Sequence, residues 1–359
     1  MNAFVPRKWL AGGHRMTLFG WGNRRQFPGL PEPTERHFDT APESRVLAHC
    51  HWQDDAASRP TLLALHGLNG SSYSHYMRGM AAKAFARGMN VVRLNQRNCG
   101  NTEHLSAGLF HSGLTEDARH VIEELARRDG IRSIVVAGYS LGGNLALKLA
   151  GEYGSRPPEV LTAVAAVSPI LEIGACVRAL EKRSNIVYQW NFVRELKKRM
   201  IRKAQFWPGR FDLARLAEIR SVREFDDAYT APHFGFEDAD DYYYRCSAMR
   251  IIDRVGVPAL VITAEDDPFV PPDPFREPAI AANRNIELRL CTFGGHCGFI
   301  TDPSDADDGY WAETQIVDFA QSQHTARTAL TGRPRHDEAD LASARTGSSR
   351  GTERQELAV

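Results

Sequence analysis

Five residues centred on Ser140 have the types and spacing that a nucleophilic serine requires. Gly138, Ser140 and Gly142 form a Gly-x-Ser-x-Gly pentad. A short apolar segment rich in β-branched residues, typical of a strand, precedes the pentad at residues 133–137. A segment of residues that favour helix follows it at residues 143–150. This order holds a serine on a sharp, strained turn, where glycines are needed because side chains would collide with the neighbouring strand and helix. The setting predicts that Ser140 is a nucleophile; the alternative is a glycine-rich turn with an incidental serine.

A nucleophilic serine needs a base and a carboxylate that orients the base, and both have candidates downstream. His296 lies among glycines after the strand-like segment 286–292. Asp267 follows a buried-strand pattern at 259–263 and starts an Asp-x-x-Val-Pro sequence, so we prefer it to Asp266, for which we expect a turn-capping role. Catalytic triads occur in the chain order Ser, Asp, His. The alternatives are a plain surface histidine and an exchange of roles between the two aspartates.

An early strand pattern supplies the donors that a tetrahedral intermediate would need. Residues 61–65 read as a buried strand that ends in His66-Gly67-Leu68. We expect the backbone N–H of Leu68 to lie beside the nucleophile and to form an oxyanion hole with the N–H of Leu141. For His66 we expect a role in structuring the loop. The nucleophile and the proton shuttle are both built from the chain, so the sequence predicts no cofactor.

The motifs resemble those of the YheT-like α/β-hydrolases, a group that includes the eukaryotic ABHD1/ABHD3 type. The segments that carry the resemblance are 9–18, 66–71, 95–100, 111–117 and 264–268, with Tyr242, Tyr243 and Ser247. Gly13, Met16 and Asn98 depart from the family pattern, and asparagine at 98 still tolerates a left-handed turn. The resemblance implies an esterase or acyl hydrolase acting on medium-length acyl chains. Some members of the family are phospholipases, and some run the reaction towards ester synthesis.

Strand patterns that alternate with helix patterns predict an α/β-hydrolase fold, a mostly parallel sheet with helices on both faces. The alternation stops at residues 171–246, where the pattern is helical, and we expect a helical cap there. The other predicted parts are an N-terminal extension packed on the core (1–44), a core in two parts (45–170 and 247–322) and a disordered tail (323–359).

The predicted cap contains one long amphipathic helix. Its apolar positions recur every three or four residues, and we expect them to form one face that packs on the core or lines an acyl channel. They are Ile186, Trp190, Val193, Leu196 and Met200. A basic cluster on the same helix is either a solvated face or an attraction for anionic lipid head groups or acidic acyl substrates. It comprises Arg194, Lys197, Lys198, Arg199, Arg202 and Lys203.

Composition narrows the function classes further. The 359 residues carry 44 basic and 44 acidic side chains, so no net charge favours nucleic acid. Six cysteines without a Cys-x-x-Cys pair indicate free thiols in a reducing compartment, and we expect a cytoplasmic protein. The segment His49-Cys50-His51 lacks further ligands, so no metal is predicted. No apolar run approaches the length of a transmembrane helix, although peripheral contact with lipid stays open.

The sequence therefore predicts a serine carboxylic-ester hydrolase that acts on small-molecule esters with short- to medium-length acyl chains, lipid esters among them. Ser140, Asp267 and His296 are the predicted catalytic residues, and Leu68 and Leu141 the oxyanion donors. Two alternatives stay open. One is an acyltransferase that passes the acyl group from the same acyl-enzyme to an alcohol. The other is a non-catalytic scaffold that binds a ligand or a partner.

Overall fold

Eight strands form one sheet, in a computed structural model that describes residues 3–304 and 307–331. The strands are β1 (Thr34–Ala41), β2 (Ser44–His51), β3 (Thr61–Leu65), β4 (Asn90–Leu94), β5 (Ile134–Tyr139), β6 (Leu161–Val167), β7 (Ala259–Ala264) and β8 (Ile286–Cys291). Their order across the sheet is β1-β2-β4-β3-β5-β6-β7-β8. β1 and β2 pair antiparallel, as do β2 and β4, and all other pairs are parallel. This confirms the predicted fold class.

Helices follow the strands in the alternation that the apolar patterns predicted. They are α1 (Gly13–Gly22), α2 (His75–Ala86), α3 (Glu116–Asp129), α4 (Leu141–Tyr153), α5 (Ile173–Leu180), α6 (Ile186–Phe206), α7 (Val222–Phe225), α8 (Ala231–Phe234), α9 (Ala239–Cys246), α10 (Pro278–Ala281) and α11 (Trp311–Thr331). Strands β3, β5, β6 and β7 are buried along their whole length. Continuous apolar runs of this kind are typical of parallel strands covered on both faces.

The parallel part of the sheet brings distant segments together at one edge. Strands β3, β5, β6, β7 and β8 are neighbours in that order and run in the same direction. Their carboxyl ends therefore meet, and the loops that follow them form a crevice of the kind in which open α/β sheets bind ligands. Each predicted site residue lies directly after one of these strands or in the loop that follows it.

Two ends of the chain differ from the predicted boundaries. The predicted extension 1–44 contains β1, which is an edge strand of the sheet with Phe38 buried in the core. A tight turn with Glu43 at φ +54° reverses the chain into β2, and this hairpin left no strong apolar alternation in the sequence. At the other end α11 runs to Thr331, so residues 323–331 are helical. The rest of the predicted tail lies outside the described residues.

Contacts divide the chain into two compact units, Met1–His324 and Thr325–Val359. The first unit contains the whole sheet and every residue of the candidate site. Of the second unit, the structure describes the end of α11.

The interval between β6 and β7 is described throughout and holds α5 to α9 without a strand. The predicted apolar face of α6 is correct for its second half, where Val193, Leu196 and Met200 are buried. It is wrong for Ile186 and Trp190, which are 63% and 61% exposed. The reason is that the first half of α6 packs its other side, around Tyr188, against α1 and the loop after β7.

Candidate active site

The turn between β5 and α4 presents Ser140 in a strained conformation. Its backbone has φ +55° and ψ −115°, and its N–H donates a hydrogen bond to the Val167 carbonyl at 2.8 Å. A Cβ at Gly138 would collide with the Gly142 carbonyl, and one at Gly142 with the Leu65 carbonyl. The tight approach of strand, turn and helix therefore requires both glycines. A non-glycine residue held at positive φ by its surroundings is typical of functional sites.

The loops after β7 and β8 bring an imidazole and a carboxylate together. His296 Nδ1 donates a hydrogen bond to Asp267 Oδ2 at 2.8 Å, and both side chains are buried. The other oxygen of Asp267 accepts from the backbone N–H groups of Phe269 at 3.0 Å and Val270 at 2.9 Å. The Phe269 ring lies 4.1 Å from the imidazole centroid. The carboxylate is therefore fixed by the backbone, and it fixes the imidazole with Nε2 free of the carboxylate.

The charge of Asp267 controls the protonation of His296. Burial alone would lower the pKa of His296, but attraction to the Asp267 carboxylate and the neighbouring Cys297 thiol outweighs burial and raises the pKa above its ordinary value of 6.5. The environment thus favours the imidazolium, which is the form that the ring adopts once it has taken a proton from a neighbour.

The adjacent carboxylate, Asp266, holds the loop that carries the histidine. Its Oδ1 accepts from the N–H of Gly295 at 2.8 Å and makes no contact with the imidazole. Burial raises the pKa of Asp266, and the Asp267 charge adds to the shift. The two neighbouring aspartates therefore have different partners. Asp266 binds the backbone of the histidine loop, and Asp267 binds the imidazole ring.

Helix α1 supports the histidine loop, and sequence reasoning missed this role. Thr17 Oγ1 accepts a hydrogen bond from the His296 N–H at 2.8 Å and donates one to the Gly13 carbonyl at 2.7 Å. A Cβ at Gly13 would collide with the Asp266 carbonyl, so α1 starts in direct contact with the aspartate pair. The threonine and the histidine are 279 residues apart, and no local pattern indicates such a contact.

Leu68 and Leu141, the residues predicted to supply the oxyanion donors, lie in the loop after β3 and at the start of α4. Leu141 is the first residue of α4, so its N–H has no acceptor within the helix. Leu68 follows Gly67, whose N–H donates to the Tyr76 hydroxyl at 3.0 Å. A Cβ at Gly67 would lie 3.2 Å from the Ser140 Cβ, so this loop passes directly beside the serine.

His66 has both ring nitrogens occupied by the backbone. Nδ1 donates to the Gly67 carbonyl at 2.8 Å, and Nε2 accepts from the Gln96 N–H at 3.2 Å. Burial lowers its pKa to about 4, which keeps the ring neutral. These contacts fit the predicted role of this side chain in structuring the loop. They leave it without a free nitrogen for proton transfer.

Two cavities meet at Leu68. The serine cavity, of about 250 Å³, contains Ser140 and His296 in its wall together with Cys297, Trp21 and Phe192. The apolar cavity, of about 100 Å³, lies between the cap and the core. Its wall includes Leu68, Leu141, Ile170, Ile173, Val177, Leu196 and Met200, with the polar residues Arg199, Lys203, Asp226 and Tyr242. Leu68 and Leu141, the two predicted oxyanion donors, thus both line the apolar cavity, and Leu68 also lines the serine cavity.

The two histidines of the segment His49-Cys50-His51 form hydrogen bonds within the protein. His49 contacts the hydroxyls of Ser72 at 2.8 Å and Tyr73 at 3.0 Å, and His51 Nε2 faces Arg93 at 3.1 Å. Within the described residues no group of three or more His, Cys, Asp or Glu side chains could hold a metal ion. All six cysteines are free thiols. None of the described helices combines the length and apolarity needed to cross a membrane.

Comparison with known proteins identifies a family. The profile of the family described as alpha/beta hydrolase fold matches residues 60–303. A predicted esterase of Escherichia coli, YheT, is 35% identical over 327 residues, which cover 90% of this chain and 95% of that protein.

Two eukaryotic relatives match over part of their length. The phospholipase ABHD3 of Mus musculus is 31% identical over 68% of this chain and 60% of its own length. The medium-chain fatty acid ethyl ester synthase/esterase 2 of Saccharomyces cerevisiae is 27% identical over 72% of this chain and 61% of its own. The chain thus spans about three fifths of these two proteins.

Solved structures show the same fold at low identity. The esterase Pf2001 of Pyrococcus furiosus superposes with a TM-score of 0.54 at 15% identity, over 84% of this chain and 96% of that one. Est1E from Butyrivibrio proteoclasticus gives 0.52 at 14% identity, over 81% and 99%. At these identities the likeness shows a shared architecture.

Proposed function

The chain belongs to the α/β-hydrolase fold family, in its YheT-like group, and on that premise we propose that it is a serine carboxylic-ester hydrolase. Its substrates are esters with short- to medium-length acyl chains, lipid esters among them. Ser140 is the nucleophile, His296 the general base and acid, and Asp267 the residue that orients the histidine. The names of the relatives, which include an esterase, a phospholipase and an ester synthase/esterase, support this class of substrate.

One observation carries the proposal, namely the hydrogen bond of 2.8 Å between His296 Nδ1 and Asp267 Oδ2. With Nδ1–H bound to the carboxylate, the neutral ring has its lone pair at Nε2, the nitrogen that can accept a proton from a serine. His296 and Ser140 line the same cavity, which supports a proton transfer between the serine hydroxyl and the imidazole. A carboxylate held by two backbone N–H groups keeps the tautomer fixed through the reaction.

In the first half of the reaction Ser140 Oγ attacks the carbonyl carbon of the ester while its proton moves to His296 Nε2. The carbonyl oxygen becomes an oxyanion, which the N–H groups of Leu68 and Leu141 bind. Each such donor is worth about 3–4 kcal/mol in the transition state. The Asp267 carboxylate, which raises the pKa of His296, stabilises the imidazolium that forms at this point. The imidazolium then gives its proton to the alkoxide as the C–O bond breaks, and the alcohol leaves.

In the second half a water molecule loses a proton to His296 and attacks the acyl-enzyme. The tetrahedral intermediate collapses, the proton returns to Ser140, and the carboxylic acid leaves. No step needs a group from outside the chain other than water. The cycle uses Ser140 and His296, which line the serine cavity, and Asp267, which binds the imidazole.

The apolar cavity is the proposed site of the acyl chain. A bound ester has its carbonyl at the Leu68 and Leu141 amides, and the same two residues line the apolar cavity. Val177 of α5 and Leu196 and Met200 of α6 belong to its apolar wall. The alcohol portion is left on the other side of the carbonyl, in the serine cavity.

A chain-length series on the purified protein tests this proposal. We expect hydrolysis of p-nitrophenyl esters from acetate to palmitate with a maximum at medium length, and covalent labelling of Ser140 by a fluorophosphonate probe. Ser140→Ala removes one hydroxyl from a partly exposed position, so the protein should fold, and both labelling and turnover should disappear. Labelling of the Ser140→Ala protein, or turnover near that of the wild type, would rule out the mechanism. A wild-type protein that binds esters but neither turns over nor labels would favour a non-catalytic scaffold.

An alcohol acceptor is the second candidate, and a relative named as an ethyl ester synthase/esterase favours testing it. The acyl-enzyme is common to both reactions, so the acceptor decides the product. Turnover of an octanoyl ester in the presence of ethanol, with separation of octanoic acid from ethyl octanoate, measures the balance. A predominance of ethyl ester at low ethanol concentration would assign the protein as an acyltransferase.

A further inference from the structure

Six large apolar side chains are exposed on two contacting segments that are far apart in sequence. We call these six side chains the apolar rim. It comprises Trp9, Leu18 and Trp21 from the N-terminal segment, 41–55% exposed, and Ile186, Val187 and Trp190 from α6, 61–63% exposed. Direct contacts join the two segments, because the Trp21 ring packs edge-on against the rings of Tyr188 at 5.2 Å and Phe192 at 5.9 Å. The Trp9 ring packs on Phe19 in the same way.

The apolar rim adjoins the serine cavity. Trp21 belongs to both, and Phe192, which packs on Trp21, lines the cavity together with Ser140 and His296. A molecule that reaches the serine past α1 and α6 therefore passes the rim. A rigid protein bound to the rim would obstruct this route, whereas a fluid layer of lipid would leave it open and could itself supply the ester.

The charge of the two segments differs from that of the whole chain. The chain is neutral overall, but residues 1–31 contain five Lys and Arg and no Asp or Glu. Residues 182–203 contain eight Lys and Arg and one acidic residue, Glu195; of the eight, Lys203 is buried and Arg202 pairs with Glu103. Several of these cations are exposed and have no ion-pair partner in the part of the chain that the structure describes. They are Lys8, Arg15, Arg24, Lys182 and Arg183.

The placement of the cations matches that of the apolar side chains. Arg15 precedes Leu18 by three residues on the exposed side of α1, and Arg183 precedes Ile186 by three at the start of α6. The Arg194 guanidinium lies 4.7 Å from the Trp190 ring centroid while it pairs with Glu195. Exposed tryptophans and aliphatic side chains bordered by cations are the composition of a surface that enters the head-group region of an anionic lipid layer.

We propose that the apolar rim docks the protein on an anionic lipid surface and so places the serine cavity against it. The proposal rests on the proposed function for its purpose, delivery of an ester from the lipid, but not for its test. The docking is peripheral: the tryptophans and aliphatic side chains enter the interface and the cations contact lipid phosphates. It makes the rim a substrate-presenting surface that is separate from the catalytic residues.

Flotation with lipid vesicles tests the proposal on the full-length protein and, in parallel, on its Ser140→Ala variant. We expect binding to vesicles of equal parts phosphatidylglycerol and phosphatidylcholine, and at least tenfold weaker binding to phosphatidylcholine alone. The double variant Val187→Ser with Trp190→Ser should lose at least tenfold in partitioning. The charge-reversal variant Lys182→Glu with Arg183→Glu should lose about tenfold or more, and about 0.5 M NaCl should weaken wild-type binding in the same way because it screens the cations.

Two matched controls lie outside the apolar rim. Phe206 at the other end of α6 is 53% exposed and Tyr244 of α9 is 61% exposed, so Phe206→Ser and Tyr244→Ser each remove one exposed aromatic ring elsewhere. Both should bind vesicles as the wild type does. Hydrolysis of a water-soluble acetate ester, together with circular dichroism, checks that the rim variants are folded.

Failure of the wild type to float with anionic vesicles would overturn the proposal. So would equal losses in the rim and control variants, or concentration-dependent dimerisation that the rim variants abolish, since a second copy would then cover the rim. Vesicle binding by a protein that hydrolyses no ester would leave docking intact and refute the proposed function instead. Hydrolysis without vesicle binding would do the reverse.

Discussion

The loops around Ser140 and the apolar rim beside them are stabilised by different kinds of contact. In the loops, backbone groups determine the position of each functional atom: the Val167 carbonyl holds Ser140, and two consecutive N–H groups hold Asp267. At the apolar rim, aromatic side chains of α1 and α6, two helices far apart in sequence, pack on each other, and large apolar residues beside them stay exposed. In the proposed function, the reaction therefore depends on the ends of the parallel strands, and access to the serine depends on helices outside the sheet.

The difference indicates which substitutions should act on catalysis and which on presentation of the substrate. A change at a strand end alters the geometry of atoms that bear charge in the transition state, so its effect on kcat is expected to be large. A change in the cap alters how much apolar surface the substrate buries, so its effect is expected to depend on the acyl chain. Each prediction below tests one side of this distinction.

The largest contrast is expected within the aspartate pair. Asp267→Asn should lower kcat by roughly 10⁴-fold, because the amide can hold the imidazole in the wrong tautomer. Asp266→Asn changes a side chain that accepts from the Gly295 N–H and does not contact the ring, so its loss should be far smaller. Steady-state kinetics on one soluble ester compares the two variants directly. If Asp266→Asn is the more damaging, the roles of the two aspartates are exchanged.

The next effect in size concerns the apolar cavity. Each methylene that enters it contributes about 0.8 kcal/mol, or about fourfold in kcat/KM. Val177 lines the cavity and Val193 of α6 does not, although both valines are almost equally buried. Val177→Phe should therefore lower kcat/KM for medium-chain esters by about tenfold or more and spare acetate esters. Val193→Phe controls for crowding of a buried site and should leave the dependence on chain length unchanged. Equal losses at all lengths in both variants would place the acyl chain elsewhere.

The placement of the residues around Ser140 could be predicted because short stretches of sequence carry the constraints on them. Gly138 and Gly142 are required by close backbone contacts, and Asp267 by a turn of short range. The apolar rim could not be predicted in the same way. The period of α6 placed Ile186 and Trp190 on the buried face, but what packs on the first half of this helix is α1, more than 160 residues earlier. Strand β1 was missed for a related reason, since its partner β2 and a turn at Glu43 determine it, and its own apolar alternation is weak.

The pH dependence should report the charge of Asp267 at His296. The base must be neutral, and its raised pKa means that kcat/KM rises with pH through a midpoint above the ordinary imidazole value of 6.5. Asp267→Asn removes the attraction that opposes burial, so the midpoint of its residual activity should move to lower pH. The same pair stabilises the fold fully below the unfolded pKa and loses this contribution as the pH rises through the folded pKa. Thermal melting of Ser140→Ala across that range checks the sign; an unchanged midpoint in Asp267→Asn would argue against the pair.

The smallest effect should come from Thr17, which lies between the two regions because α1 belongs to the apolar rim and also supports the histidine loop. Thr17→Val is nearly isosteric but leaves the buried His296 N–H without its acceptor, which costs about 1–3 kcal/mol. Part of this cost should appear as a displaced imidazole, and we expect kcat to fall by about tenfold with KM little changed. Thr17→Ser restores the hydroxyl and should recover most of the rate. Because the contact acts through the position of the ring, loss of Tm with unchanged kcat would show that α1 only stabilises the fold. A loss in kcat that serine rescues would show that the helix beside the apolar rim also sets the position of the His296 ring.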